Sequence, residues 1–229
     1  REDHIANADL LDLMRRVRCF GINLARLDIR QEADRHSKLL NELFRKKYNI
    51  KYNSLSEKEK IKLLNKLIKE KNYFVDRIKI TNKENKEVWN TFKQISKTPN
   101  ECLGAYVISM TSTASDILSV YFLQIQAKIK NFLRVVPLFE TLDDLKNANS
   151  VMKNLFKLSW YRKMTSAKQE VMIGYSDSSK DAGKLSASWH QYKLQEELRG
   201  LAKKYRFDLV FFHGRGGSPG RGGGPIQAT

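Results

Sequence analysis

Cysteine is scarce: 229 residues contain only Cys19 and Cys102. The pair lacks metal-ligand spacing and cannot build a disulfide framework, so both read as reduced, inert thiols of a cytosolic protein. No apolar run approaches the roughly 18–20 residues that a membrane span needs. No charged-then-apolar leader stands at Arg1, so secretion finds no support. A cytoplasmic location without a membrane partner is therefore expected. Short catalytic signatures are missing too. No G-x-G-x-x-G opens a helix, no zinc spacing is present, and no Ser-His-Asp order is visible.

What is present is a globular composition, 41% hydrophobic and 29% charged, long enough for one large domain or two small ones. The net charge of +17 suits a nucleic-acid binder and equally an enzyme for acidic substrates. Much of the excess lies in a Lys- and Asn-rich segment at about 45–97, where a solvated face of biased composition explains it as well. Charge alone does not choose between these readings.

Periodicity is more informative. Over residues 9–24, Leu10, Leu13, Met14, Val17 and Leu24 recur at helical spacing, and Leu27 and Ile29 then alternate as in a strand ending in Arg30, Gln31 and Glu32. Residues 33–48 read as a helix on Leu39, Leu40 and Leu43. Ser56 with Glu59 forms a capping box that opens a helix through Leu64 and Ile68, and another helix spans 82–97. From residue 103 onward apolar runs alternate with helices. LGAYVISM leads to a helix from about Ser115. LRVVPLFE ends in Glu140, before a helix started by Thr141. VMIGYSD ends in Asp177, before a helix through Leu185, Trp189, Tyr192, Leu198 and Leu201. DLVFFHGR ends in Arg215.

Such alternation is the pattern of parallel β/α units. Arg30, Glu140, Asp177 and Arg215 all fall at the carboxyl ends of the apolar runs, the end where a β/α barrel builds its active site. The expected fold is helix-rich α/β, part of a TIM-type β/α barrel with many additional helices. A Rossmann-like open sheet is the structural alternative.

Glu140 and Asp177 are the best metal pair, because a hard divalent cation is held by one or two carboxylates plus substrate oxygens. Each can also simply flank a strand or sit in a solvated turn. The stretch FHGRGGSPGRGGGP, residues 212–225, carries seven glycines between Gly214 and Gly224, which let backbone amides approach a ligand. Arg215 and Arg221 within it can grip oxyanions. The same stretch also reads as an RNA-binding Gly/Arg segment or as a frayed terminus. His213 beside Arg215 suits a general base and equally a structural role. His4, His36 and His190 show no partner spacing.

Five blocks together resemble the phosphoenolpyruvate carboxylases: LDIRQEADRH (27–36), LGAYVISMTSTASDIL (103–118), LRVVPLFETLDDL (133–145), QEVMIGYSDSSKDAG (169–183) and the Gly/Arg stretch. The resemblance implies carboxylation of phosphoenolpyruvate by bicarbonate, giving oxaloacetate and phosphate, with Mg2+ or Mn2+ as cofactor. It implies Glu140 and Asp177 as metal ligands, Arg30, Lys180 and Arg215 as phosphoenolpyruvate-binding residues, and Lys180, Arg221 and His213 as catalytic candidates. Arg221 would belong to a loop closing over the reacting groups, and the route would pass through carboxyphosphate and an enolate. The family's T-A-H-P-T histidine motif does not occur in the sequence. The chain is therefore expected to be the central part of a barrel domain truncated at both ends, with the Lys-rich segment as a helical elaboration. A homotetramer is expected for the complete enzyme. An inactive remnant and an RNA-binding module remain the alternatives.

Overall fold

The computed structural model describes residues 7–21, 25–175, 178, 180 and 183–214. In chain order the elements are α1 (Asp9–Phe20), β1 (Leu27–Glu32), α2 (Ala33–Tyr48), α3 (Glu57–Glu70), α4 (Lys83–Lys97), β2 (Leu103–Ser109) and α5 (Ala114–Gln126). There follow β3 (Arg134–Phe139), α6 (Leu142–Phe156), α7 (Ser159–Met164), β4 (Lys168–Gly174), α8 (Lys184–Tyr205) and β5 (Asp208–Gly214). All neighbouring strands pair in parallel, in the order β1-β2-β3-β4-β5. A doubly wound sheet reverses its strand order at a switch point. Among the described residues the order never reverses, so the chain is a helix-rich α/β fold consistent with part of a β/α barrel.

Helices α3, α5 and α6 start where the sequence provides donors and acceptors for orphan backbone groups. Ser56 N donates to Glu59 Oε2 at 2.8 Å, completing the capping box of α3. Thr113 N donates to Asp116 Oδ2 at 2.9 Å at the head of α5, and Asp144 N donates to Thr141 Oγ1 at 3.1 Å at the head of α6. Every residue of α5 is buried. A helix apolar on all sides belongs in the interior, and α5 packs against α2, α3, α6 and β3.

The Lys-rich segment joins this core. Leu64, Leu67 and Ile68 of α3 and Val88, Trp89 and Phe92 of α4 share one apolar cluster with α5. Its docking is also polar. Ser115 N donates to Glu57 Oε1 at 2.9 Å and Ser115 Oγ donates to Glu57 Oε2 at 2.7 Å, tying α3 to the head of α5. Burial raises the pKa of the Glu57 carboxyl.

The two faces of the sheet differ. On one, Tyr106, Ile108, Val135, Phe139, Val171 and Ile173 pack into the large helical core. On the other, Ala105, Val107, Val136 and Leu138 form a small separate cluster with Met172 against it. Arg30 pairs in register with Val107, and Val107 with Val136. Strand alternation thus puts Arg30 on the small-cluster face.

His36 of α2 is fully buried, with Nε2 2.8 Å from the Tyr106 hydroxyl and Nδ1 without a hydrogen-bond partner among the described residues. Burial, aided by the neighbouring Arg35 charge, pushes its pKa down to about 3. The folded protein therefore keeps a neutral ring while the unfolded chain takes up a proton below about pH 6.5. Stability from this residue should fall as pH drops through that window, by about 1.4 kcal/mol per unit once well below pH 6.5. Urea unfolding at pH 7 and pH 5 checks this: His36→Phe should flatten the pH dependence. An equal slope in both proteins would refute it.

Candidate active site

Glu140 follows directly on β3, and Phe139 pairs in register with Ile173 of β4, so Glu140 lies beside Gly174. A Cβ on Gly174 would stand 3.1 Å from both Cα and Cγ of Glu140. Glycine is what allows this approach; a larger residue would displace the carboxylate. Glu140 is only 5% exposed. A charge that far from water needs charged or polar partners.

Two come from neighbouring strands. Arg30 Nη2 reaches across β2 to Glu140 Oε1 at 3.4 Å and Oε2 at 3.5 Å. Met110, which follows β2 with a left-handed φ of 54°, donates its N–H to Oε1 at 3.3 Å. The carboxyl ends of β1, β2 and β3 thus converge on one carboxylate. The Arg30 side chain remains 55% exposed, so its outer nitrogens can meet an anion from solvent.

The β4 end is fastened on its other side. Gly174 O accepts from Ser178 Oγ and from Gln191 Nε2, both at 3.0 Å. The Tyr175 hydroxyl lies 2.7 Å from His213 Nδ1, linking the residue after β4 to the end of β5. His213 has the same strand parity as Phe211 and Leu209, which pack on the helical core, so it shares their face and lies on the opposite sheet face from Glu140. Lys180 is exposed. Asp177, Arg215 and Arg221 lie outside the described residues.

Among the described residues no three His, Cys, Asp or Glu side chains gather as a metal site, and no helix is long and apolar enough to cross a membrane. A cavity of about 370 Å3 lies elsewhere, lined by Arg134 and Lys168 at the starts of β3 and β4. It faces the end of the strands remote from Glu140, where β/α folds seldom place chemistry.

Arginine and glutamate at strand ends and a glycine pressed against the glutamate come from three of the five sequence blocks. Residues 1–229 match the family described as Phosphoenolpyruvate carboxylase. The chain belongs to this family. The phosphoenolpyruvate carboxylase of Enterobacter sp. (strain 638) is 49% identical over 225 residues, 98% of this chain and 26% of that protein. Those of Escherichia coli O1:K1 / APEC and Shigella boydii serotype 18 (strain CDC 3083-94 / BS512) show the same identity and coverage. The chain thus spans about a quarter of the length of these phosphoenolpyruvate carboxylases.

Three contributors escape the sequence reading. Met110 acts through a backbone N–H, which no side-chain pattern reveals. Tyr175 looks like the end of an apolar run. Gln191 does leave a signal: a polar residue among the buried Ala187, Leu194, Leu198 and Leu201 of α8.

Proposed function

We propose that the protein containing this chain carboxylates phosphoenolpyruvate with bicarbonate, releasing oxaloacetate and phosphate. The observation that carries the reading is the meeting of Arg30 and Glu140 at the carboxyl ends of parallel strands, in a chain of the phosphoenolpyruvate carboxylase family. The complete barrel, of which residues 1–229 are the central part, a homotetrameric assembly and a cytoplasmic location belong to the same reading. The shared core of α3, α4 and α5 supports taking the Lys-rich segment as an elaboration of that one domain.

Glu140 fits a hard divalent cation, because it offers carboxylate oxygens at a strand end beside the anion-binding side of Arg30. Glu140 and Asp177 would hold Mg2+ or Mn2+, which when bound supplies positive charge opposite developing phosphate and enolate oxygens. Arg30, Lys180 and Arg215 bind and orient phosphoenolpyruvate through its anionic groups. Arg221 closes over the reacting groups and excludes water. His213, on the sheet face opposite Glu140, steadies the strand end before Arg215 through the contact of its Nδ1 with the Tyr175 hydroxyl. Nothing in the described residues favours the RNA-binding alternative.

The test is the complete protein. It should form oxaloacetate and phosphate one-to-one from phosphoenolpyruvate and bicarbonate, only with a divalent cation present. A well-folded complete protein that forms no oxaloacetate would overturn the reading and leave the inactive remnant.

A further inference from the structure

Gln191 occupies a position where the pattern of α8 calls for an apolar side chain. Its buried companions on the helix include Ala187, Leu194 and Leu198, and it is itself 4% exposed. Burying a primary amide is costly unless its hydrogens are taken up. Here Nε2 has two to give, and it meets two acceptors: Gly174 O at 3.0 Å and Ser178 Oγ at 2.9 Å. Ser178 is fully buried as well. Its one hydroxyl hydrogen points back to the same strand end, with Gly174 O at 3.0 Å and Tyr175 O at 3.2 Å.

Placement gives this triangle its meaning. Gly174 is the residue pressed against Glu140. Ser178 directly follows Asp177 in sequence and precedes Lys180 by two residues. One helical side chain thus ties together the backbone beside one proposed metal ligand and the residue next to the other. Gln191 is too deep to touch substrate. A packing role alone would be met by leucine or methionine, without bringing a polar group into the core.

We propose that Gln191 is a positioning residue of the carboxylation site: it fixes the end of β4 beside Glu140 and ties to it Ser178, which neighbours Asp177 in sequence and stands two residues before Lys180. The proposal rests on the function given above and deepens it. Supporting side chains of this kind change metal affinity by about 10–100-fold when removed, which sets the expected size of the effect.

The experiment uses the complete enzyme with Gln191→Met, which keeps the shape and loses the donors, and Gln191→Glu, which keeps the size and cannot donate when ionised. Mn2+ affinity by paramagnetic-resonance titration should weaken about tenfold or more in both variants. The KM for phosphoenolpyruvate should rise, while the melting temperature of the methionine variant changes little. Ser178→Ala leaves the Gln191–Gly174 bond in place and should give a smaller loss of Mn2+ affinity. This variant decides the matter if the methionine variant does not fold. Wild-type Mn2+ affinity in the folded variants, or lost stability with unchanged affinity, would overturn the proposal. Wild-type enzyme that forms no oxaloacetate would instead overturn the function, and the Mn2+ titrations would still report on the tie itself.

Discussion

Glu140→Gln in the complete enzyme is expected to remove nearly all carboxylation and to weaken Mn2+ binding at least tenfold. The substitution keeps size and shape, so the packing beside Gly174 survives. The amide oxygen can still accept from Met110 N, at 3.3 Å in the present arrangement. What disappears is the negative charge. A hard-cation site that loses one of two carboxylates loses both affinity and the charge balance that lets the cation sit beside Arg30. If the cation contributes several kcal/mol to charge stabilisation in the transition state, kcat should fall by about a thousandfold. Because Glu140 is nearly buried and faces a guanidinium, the variant also leaves Arg30 without its anionic partner. Arg30 is half-exposed and water can take over that solvation, so urea stability should shift by no more than about 1 kcal/mol. Unchanged Mn2+ affinity, with the protein folded, would exclude Glu140 as a ligand.

The strand–helix rhythm made much of the fold readable, because each buried parallel strand is a short apolar run and the helices after β2 and β3 open with a cap. The capping box at Ser56 marked its helix directly, as did Thr141 ahead of an acidic first turn, where the structure adds a capping box with Asp144. The placement of Arg30 and Glu140 at strand ends was readable for the same reason. Their meeting was not, since it depends on the register of β1, β2 and β3 and on side-chain reach across β2.

Periodicity names a face without naming what covers it. On α8 two apolar stripes overlap. The sequence reading ran through Leu185, Trp189, Tyr192, Leu198 and Leu201; the first three are 87%, 56% and 57% exposed, whereas Leu198 and Leu201 are buried together with Ala187 and Leu194. Bulk drew attention to the wrong stripe in the first half of the helix and to the right one in the second. In α1 the stripe of Leu10, Leu13, Met14 and Val17 forms a clean helical face and none of it is buried. Asp177 and the Gly/Arg stretch from Arg215 onward carry much of the expected chemistry and lie outside the described residues, so their part is read from the sequence.

Arg30→Gln should move two affinities in opposite directions. Arg30 faces Glu140 at 3.4 Å with its side chain 55% exposed, so it serves two partners: a carboxylate behind it and an anion from solvent in front. Replacing the guanidinium with a neutral amide removes the fork that grips phosphate or carboxylate oxygens. The KM for phosphoenolpyruvate should rise by about tenfold to a hundredfold, the size of a lost charge-assisted pair. The same change removes a positive charge from beside the proposed cation ligand. Without substrate, Mn2+ should then bind more tightly, though only by a few-fold because solvent screens a half-exposed charge. Arg30→Lys separates the two effects. It keeps the charge, so Mn2+ affinity should stay near wild type, while loss of the planar fork still weakens phosphoenolpyruvate binding. Titrations of Mn2+ alone and of phosphoenolpyruvate at saturating Mn2+ read the two quantities independently. If Mn2+ binding weakens in Arg30→Gln, the arginine acts chiefly by orienting Glu140, and its charge does not compete with the cation. In that case the pair is a support for the metal site, and the contact to substrate must be assigned to Lys180 and Arg215.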